Sequence, residues 1–192
     1  MDALQEQVQV VKDHYYNVYM RSLIKYIILL IFAFAISWNN SILFSQEIDK
    51  DFQKMIERKY DAFPTIQPED AEAKIGEEVY FLDTRETVEF EVSHLPNAIH
   101  VGYDNLNWKK INTLDKKAEI IVYCSIGVRS QDIGKKLKEK GFKNVKNLYG
   151  GIFLWADQAR KMEDLNQKST NSVHGYNKYW GRWVKKAEVV YE

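Results

Sequence analysis

In the stretch Glu119-Ile120-Ile121-Val122-Tyr123-Cys124-Ser125-Ile126-Gly127-Val128-Arg129-Ser130, a continuous apolar run stops at a cysteine and a glycine-bearing turn. A run without polar alternation suits a strand covered on both faces, as in a parallel sheet. Arg129 to Lys140 continues as an amphipathic helix, with Ile133 and Leu137 inward and Gly141 as its stop. The same grammar repeats on either side. Val79 to Leu82 reads as a strand ending at Asp83-Thr84-Arg85, Glu86 to Val92 as a helix, Ala98 to Val101 and Val145 to Leu148 as strands, and Gly150-Gly151 as the entrance to a helix bearing Phe153 and Trp155. Upstream, Asp49 to Tyr60 carries Phe52, Met55, Ile56 and Tyr60 at helical spacing, and Pro68-Glu69-Asp70 opens a short helix that Gly76 ends. Short apolar strands alternating with helices predict an α/β domain: an open parallel sheet with helices on both faces.

Composition bounds what such a domain does. With 192 residues and 45% of them hydrophobic, the chain can bury one sizeable core and carry extras. Lys+Arg 27 against Asp+Glu 27 removes the basic excess that nucleic-acid binding calls for, so no nucleic-acid partner is expected. The single cysteine, Cys124, excludes an intrachain disulfide, a dithiol redox pair and a multi-cysteine metal site.

In open parallel sheets, ligands sit beyond the carboxyl ends of the strands. Two segments point there: Asp83-Thr84-Arg85, and the loop Cys124, Ser125, Ile126, Gly127, Val128, Arg129 and Ser130. Successive N–H groups of such a loop can converge on the thiol, and the helix N-terminus and Arg129 both favour the thiolate, the nucleophilic form. A lone cysteine is more commonly a small buried hydrophobe. The joint presence of strand end, glycine and arginine favours chemistry here. Arg129 has two possible roles, clamping an anionic donor or turning inward to hold the loop by pairing with an acid. Asp83 and Arg85 are supporting residues that order the loops. Asp83 is a natural N-cap for the helix Glu86 to Val92, and Glu89 stands at i, i+4 from Arg85. His94 and His100 lack metal spacing and read as turn or surface residues, and no metal site is expected.

Four segments in order resemble the signatures of a single-domain rhodanese: Leu82-Asp83-Thr84-Arg85, Ser93-His94-Leu95-Pro96-Asn97-Ala98-Ile99-His100, Ile121 to Ser130, and Asn147-Leu148-Tyr149-Gly150-Gly151 with Trp155. The resemblance runs from about Ile66 to Gln158. It departs at Asn97, where the family has glycine, but asparagine tolerates positive φ. The resemblance implies a five-stranded parallel sheet and sulfur transfer through a persulfide on Cys124. The partners are then a small anionic sulfur donor such as thiosulfate and a thiol or cyanide acceptor. No cofactor is expected.

Four residues separate Cys124 from Arg129, one fewer than in the loop of cysteine phosphatases. The smaller ring suits a sulfur atom better than a tetrahedral phosphate, which disfavours a phosphatase or arsenate reductase. The alternative to an enzyme is a rhodanese-like module that binds a protein through the same loops, although such a module has no need of an intact Cys124, Gly127 and Arg129.

Beyond the domain, residues 1–46 form an N-terminal segment, 47–65 a lead-in helix, 66–165 the rhodanese-like domain and 166–192 an aromatic and basic extension. Tyr26 to Ile36 is unbroken apolar or aromatic sequence behind Arg21 and Lys25, within a hydrophobic stretch at 23–36. It is shorter than a relaxed membrane span and reads as an export signal, with an uncleaved anchor through residues 23–44 as the alternative. The expected location is therefore periplasmic or membrane-anchored. Asp2, Glu6 and Asp13 suit a signal poorly, and Met20-Arg21-Ser22-Leu23-Ile24-Lys25 is a better start. In the extension, Tyr176, Tyr179, Trp180 and Trp183 either dock as added core or form a lip over the loop.

Overall fold

The computed structural model describes residues 19–31 and 48–191, together with Lys12 and Tyr16. Residues 19–31 are helical (α1) and belong to an N-terminal unit separate from the one that begins at Ile48. No helix among the described residues is long and apolar enough to cross a membrane. The expected signal is described only as far as residue 31, and its remainder lies outside the described residues.

The second unit is built on a five-stranded sheet in the order β1-β5-β4-β2-β3, every neighbouring pair parallel. The strands are β1 (Thr65–Ile66), β2 (Val79–Asp83), β3 (Ile99–His100), β4 (Glu119–Tyr123) and β5 (Asn144–Leu148). The helices that connect and cover them are α2 (Lys50–Glu57), α3 (Pro68–Glu72), α4 (Thr87–Val92), α5 (Trp108–Ile111), α6 (Val128–Glu139) and α7 (Gly151–Asp157). The continuous apolar run of β4 has its reason in the layers on either side. Ile121 and Tyr123 join one buried cluster with Phe52, Ile56 and Phe153, while Ile120 and Val122 join the other with Ile111, Ile133 and Leu137. A polar residue on either face of β4 would meet core, which is why this strand does not alternate.

Two local expectations are corrected. The helix expected over Asp49 to Tyr60 ends at Glu57, with Arg58 as its C-cap, so Tyr60 lies beyond the helix and extends toward the Cys124 loop. Asp83 is not the N-cap of α4. Glu86 occupies that place, and its N–H donates to Glu89 Oε2 (3.1 Å), because the Asp83 carboxylate is taken by Arg85. The departure at Asn97 is accommodated as expected, with φ of 60°.

The extension folds as part of the same unit. An antiparallel pair, β6 (Met162–Glu163) with β7 (Ser169–Thr170), precedes a parallel pair, β8 (Ser172–His174) with β9 (Glu188–Val190), bridged by α8 (Lys178–Gly181). Trp183 packs on Phe52 with ring centroids 5.7 Å apart, and the Lys185 and Lys186 N–H groups donate to Asp157.

Candidate active site

Cys124 leaves the carboxyl end of β4 and lies at the floor of a pocket of about 170 Å³. Two glycines make the loop possible. Gly127 has φ of +94°, and a Cβ there would overlap the Tyr60 hydroxyl. Gly151 has φ of +57°, and a Cβ there would collide with the Cys124 carbonyl. The close approach at Gly151 lets the first amides of α7 seize the loop from behind. Ile152 N–H donates to Cys124 O (2.9 Å) and Phe153 N–H to Ser125 O (3.0 Å). The Tyr60 hydroxyl donates to Ile126 O (2.7 Å), and Asn147 Nδ2 donates to Gly127 O (2.9 Å). The carbonyls of four successive loop residues thus point outward into these donors. On the inner side, Gly127 N–H meets Cys124 Sγ at 3.1 Å.

Charged side chains gather around this loop. Arg129 donates through Nη1 to Glu89 Oε2 and through Nη2 to Glu89 Oε1, both at 2.8 Å, and Nη2 also donates to Ser125 Oγ. Ser125 Oγ in turn donates to Glu89 Oε1 (3.0 Å). Burial opposes the charge on both partners, but their mutual hydrogen bonds and attraction outweigh it. Glu89 is held below the usual carboxylate range and Arg129 is raised, Cys124 nearby contributing to the latter. Burial, with Cys124 nearby, also pushes the Tyr60 phenol up, so that it remains a donor to the loop. The inward pairing of Arg129 is therefore the one formed, with an acid from α4. The expected Arg85–Glu89 pair is not, since Arg85 lies on Asp83 instead.

Cys124, Ser125, Ile126, Val128 and Arg129 line the pocket together. Gly127 contributes its N–H beneath them. Ser130 faces away, donating to Asn147 Oδ1 (2.7 Å), and is buried. Asp83 and Arg85 lie outside the pocket, both inaccessible, with Arg85 Nη2 bonded to Asp83 Oδ2 and to Ser93 O at 2.6 Å each. His94 is no surface residue: it is buried and stacks on Phe90 at 4.1 Å. His100 is half-buried, its Nε2 2.8 Å from Arg85 O. Sequence reasoning missed Lys59 and the loop roles of Tyr60 and Asn147, and left the extension undecided. Tyr176 and Trp180 complete the wall of the pocket, while Trp180 and Trp183, both half-buried, pack against the core, so the extension combines the two readings. Among the described residues, no group of acids, histidines and cysteine could hold a metal ion.

A family model described as Rhodanese-like domain matches residues 67–158. The putative sulfurtransferase YtwF of Bacillus subtilis is 37% identical over 84 residues, 44% of this chain and 80% of that protein. The thiosulfate sulfurtransferase GlpE of Coxiella burnetii is 33% identical over 78 residues, 41% of this chain and 72% of that protein. Among solved structures, the rhodanese-like domain of an Anabaena protein, Alr3790, superposes with a TM-score of 0.50 at 20% identity, covering 53% of this chain and 80% of that one, which bears on the fold.

Proposed function

Because the chain belongs to the family of the rhodanese-like domain, we propose that Cys124 carries sulfane sulfur between a small anionic donor, such as thiosulfate, and a thiol or cyanide acceptor. The observation that carries this reading is the Gly127 N–H 3.1 Å from Cys124 Sγ, at the floor of an open pocket. In the proposed cycle the Cys124 thiolate attacks the outer sulfur of thiosulfate. A Cys–S–S bond forms, and the S–S bond of the donor breaks with its electron pair leaving on sulfite. The persulfide anion is met by the loop N–H groups and by the Arg129 guanidinium, which stabilise negative charge. Attack of the acceptor on the outer sulfur then returns the thiolate. Neither a metal nor a general base is needed for these steps.

Intact mass after thiosulfate treatment tests the reading: one added sulfur on the chain, removed by cyanide, is the expected result. Replacing Cys124 by serine removes the thiolate with little change in volume, so that variant should gain no sulfur and transfer none. Transfer retained by Cys124→Ser overturns the persulfide cycle. The N-terminal stretch supports a separate proposal, export or membrane attachment, which fractionation of cells producing the full chain would check.

A further inference from the structure

Part of the wall of the pocket is supplied by residues beyond the family match, which ends at 158. β8 leads through Gly175 to Tyr176, and α8 presents Trp180. Both rings line the space above Cys124, with Ile126, Val128 and Lys59. This wall is built into the fold. Tyr176 holds a positive φ of 61°, a conformation costly for an aromatic residue, with its N–H donated to His174 Nδ1 (3.0 Å). Gly175 and Gly181 pack so closely on Val189 and Tyr191 that a Cβ at either would overlap them. The Tyr176 ring lies over the Arg129 guanidinium (4.9 Å), and Lys59 lies over the Trp180 ring (5.3 Å).

Charge narrows the ligand further. Lys59 and Arg129 are the two cations of the pocket lining, and Glu89, bonded twice to Arg129, together with the Cys124 thiolate of the proposed cycle matches them one for one. A dianionic donor would add two negative charges to a site in balance, and a monoanion only one. An apolar group on the donor would in addition find aromatic faces to cover it. We propose that Tyr176 and Trp180 are specificity-determining residues that select organic, singly charged sulfane-sulfur donors over inorganic thiosulfate. This rests on the sulfurtransferase reading of Cys124. With an organic thiosulfonate, the thiolate attacks the outer sulfur, the new Cys–S–S bond forms, and the old sulfur–sulfur bond leaves its electron pair on a sulfinate.

The test compares benzenethiosulfonate with thiosulfate on the full chain. The wild type should favour benzenethiosulfonate about tenfold in kcat/KM. Trp180→Ala and Tyr176→Gly, the latter keeping the positive φ, should each lower the ratio of kcat/KM for benzenethiosulfonate to that for thiosulfate about three- to tenfold. Calorimetry provides a readout independent of turnover: benzenesulfinate should bind Cys124→Ser more tightly than sulfite does, and Trp180→Ala in that background should erase the difference. Equal losses on both donors, or no preference in the wild type, would overturn the assignment even while a persulfide still forms on Cys124. Benzenesulfinate binding by a chain that takes sulfur from neither donor would instead remove the sulfurtransferase reading, and the donor assignment with it.

Discussion

Arg85 and Arg129 both donate at least two hydrogen bonds to a carboxylate near the carboxyl edge of the sheet, yet they are used differently. The Arg85–Asp83 pair is wholly enclosed, each side chain 0% exposed, and the remaining bond of Nη2 goes to the Ser93 carbonyl. In the other pair Glu89 is 1% exposed but Arg129 keeps 19%, and its open face lies under Tyr176 at the pocket. The pairing chemistry is shared, and access separates the roles. An enclosed pair fixes the chain between β2 and the Ser93 turn, whereas a half-open pair fixes the loop and still offers positive charge to an anion.

The comparison breaks most visibly at Arg85. Arg85→Met leaves the Asp83 carboxylate buried without its partner, which should cost about 3 to 5 kcal/mol in urea unfolding, and Asp83→Leu added to it should recover much of the loss. A cost below about 1 kcal/mol would place the two arginines in one class. At Arg129 the main effect should appear in chemistry. Arg129→Lys keeps the charge but loses the planar fork, so sulfur transfer should fall about tenfold to a hundredfold while stability drops by roughly 1 kcal/mol. Transfer by the lysine variant at the wild-type rate would reduce Arg129 to a diffuse charge.

Glu89 sharpens the contrast through pH. Its carboxyl lies below its ordinary value of 4.5, so its pairing stabilises the native state fully above about pH 4.5 and less as pH falls through the lowered folded value. Glu89→Gln should therefore be less stable than the wild type at pH 7, by roughly 1 to 3 kcal/mol, with the gap closing on acidification below pH 4.5. A gap constant down to pH 3 would show that Glu89 acts by shape alone. The smallest effect is expected at Tyr60→Phe, which removes the hydrogen bond to Ile126 O and the one accepted from Gly150 N–H, and should cost about 1 to 2 kcal/mol in the same unfolding assay.

The sheet was legible where the chain is covered on both sides. β4 announces itself because neither of its faces meets water, and the loop after it because cysteine, glycine and arginine fall together. β1 was not legible from pattern, being only the two residues Thr65–Ile66, held by register with Asn147 and Leu148. The ion pairs failed for a different reason. Helical spacing points Glu89 at Arg85, and local capping rules point Asp83 at α4. The tertiary fold brings Arg129 to Glu89 across 40 positions and leaves Arg85 to fold back on Asp83. Local rules hold only while no stronger partner arrives from elsewhere in the chain. In the extension, composition showed an excess of rings but carried no sign of which ring the backbone would turn over Cys124. That depends on the positive φ at Tyr176, which no residue type there signals.

The grip of α7 on the loop links motion at the pocket to the stability of the whole. Cys124 and Ser125 cannot swing outward without freeing the Ile152 and Phe153 amides, and those residues sit in a helix whose side chains from Ile152 to Ala156 are buried. Openings of the loop therefore belong to the rarest fluctuations of the domain, and its amides should exchange their hydrogens with solvent at rates set by cooperative unfolding. The Cys124 sulfur is thus carried on backbone tied to a buried helix, and any adjustment to ligands of different size would fall to side chains on the opposite wall.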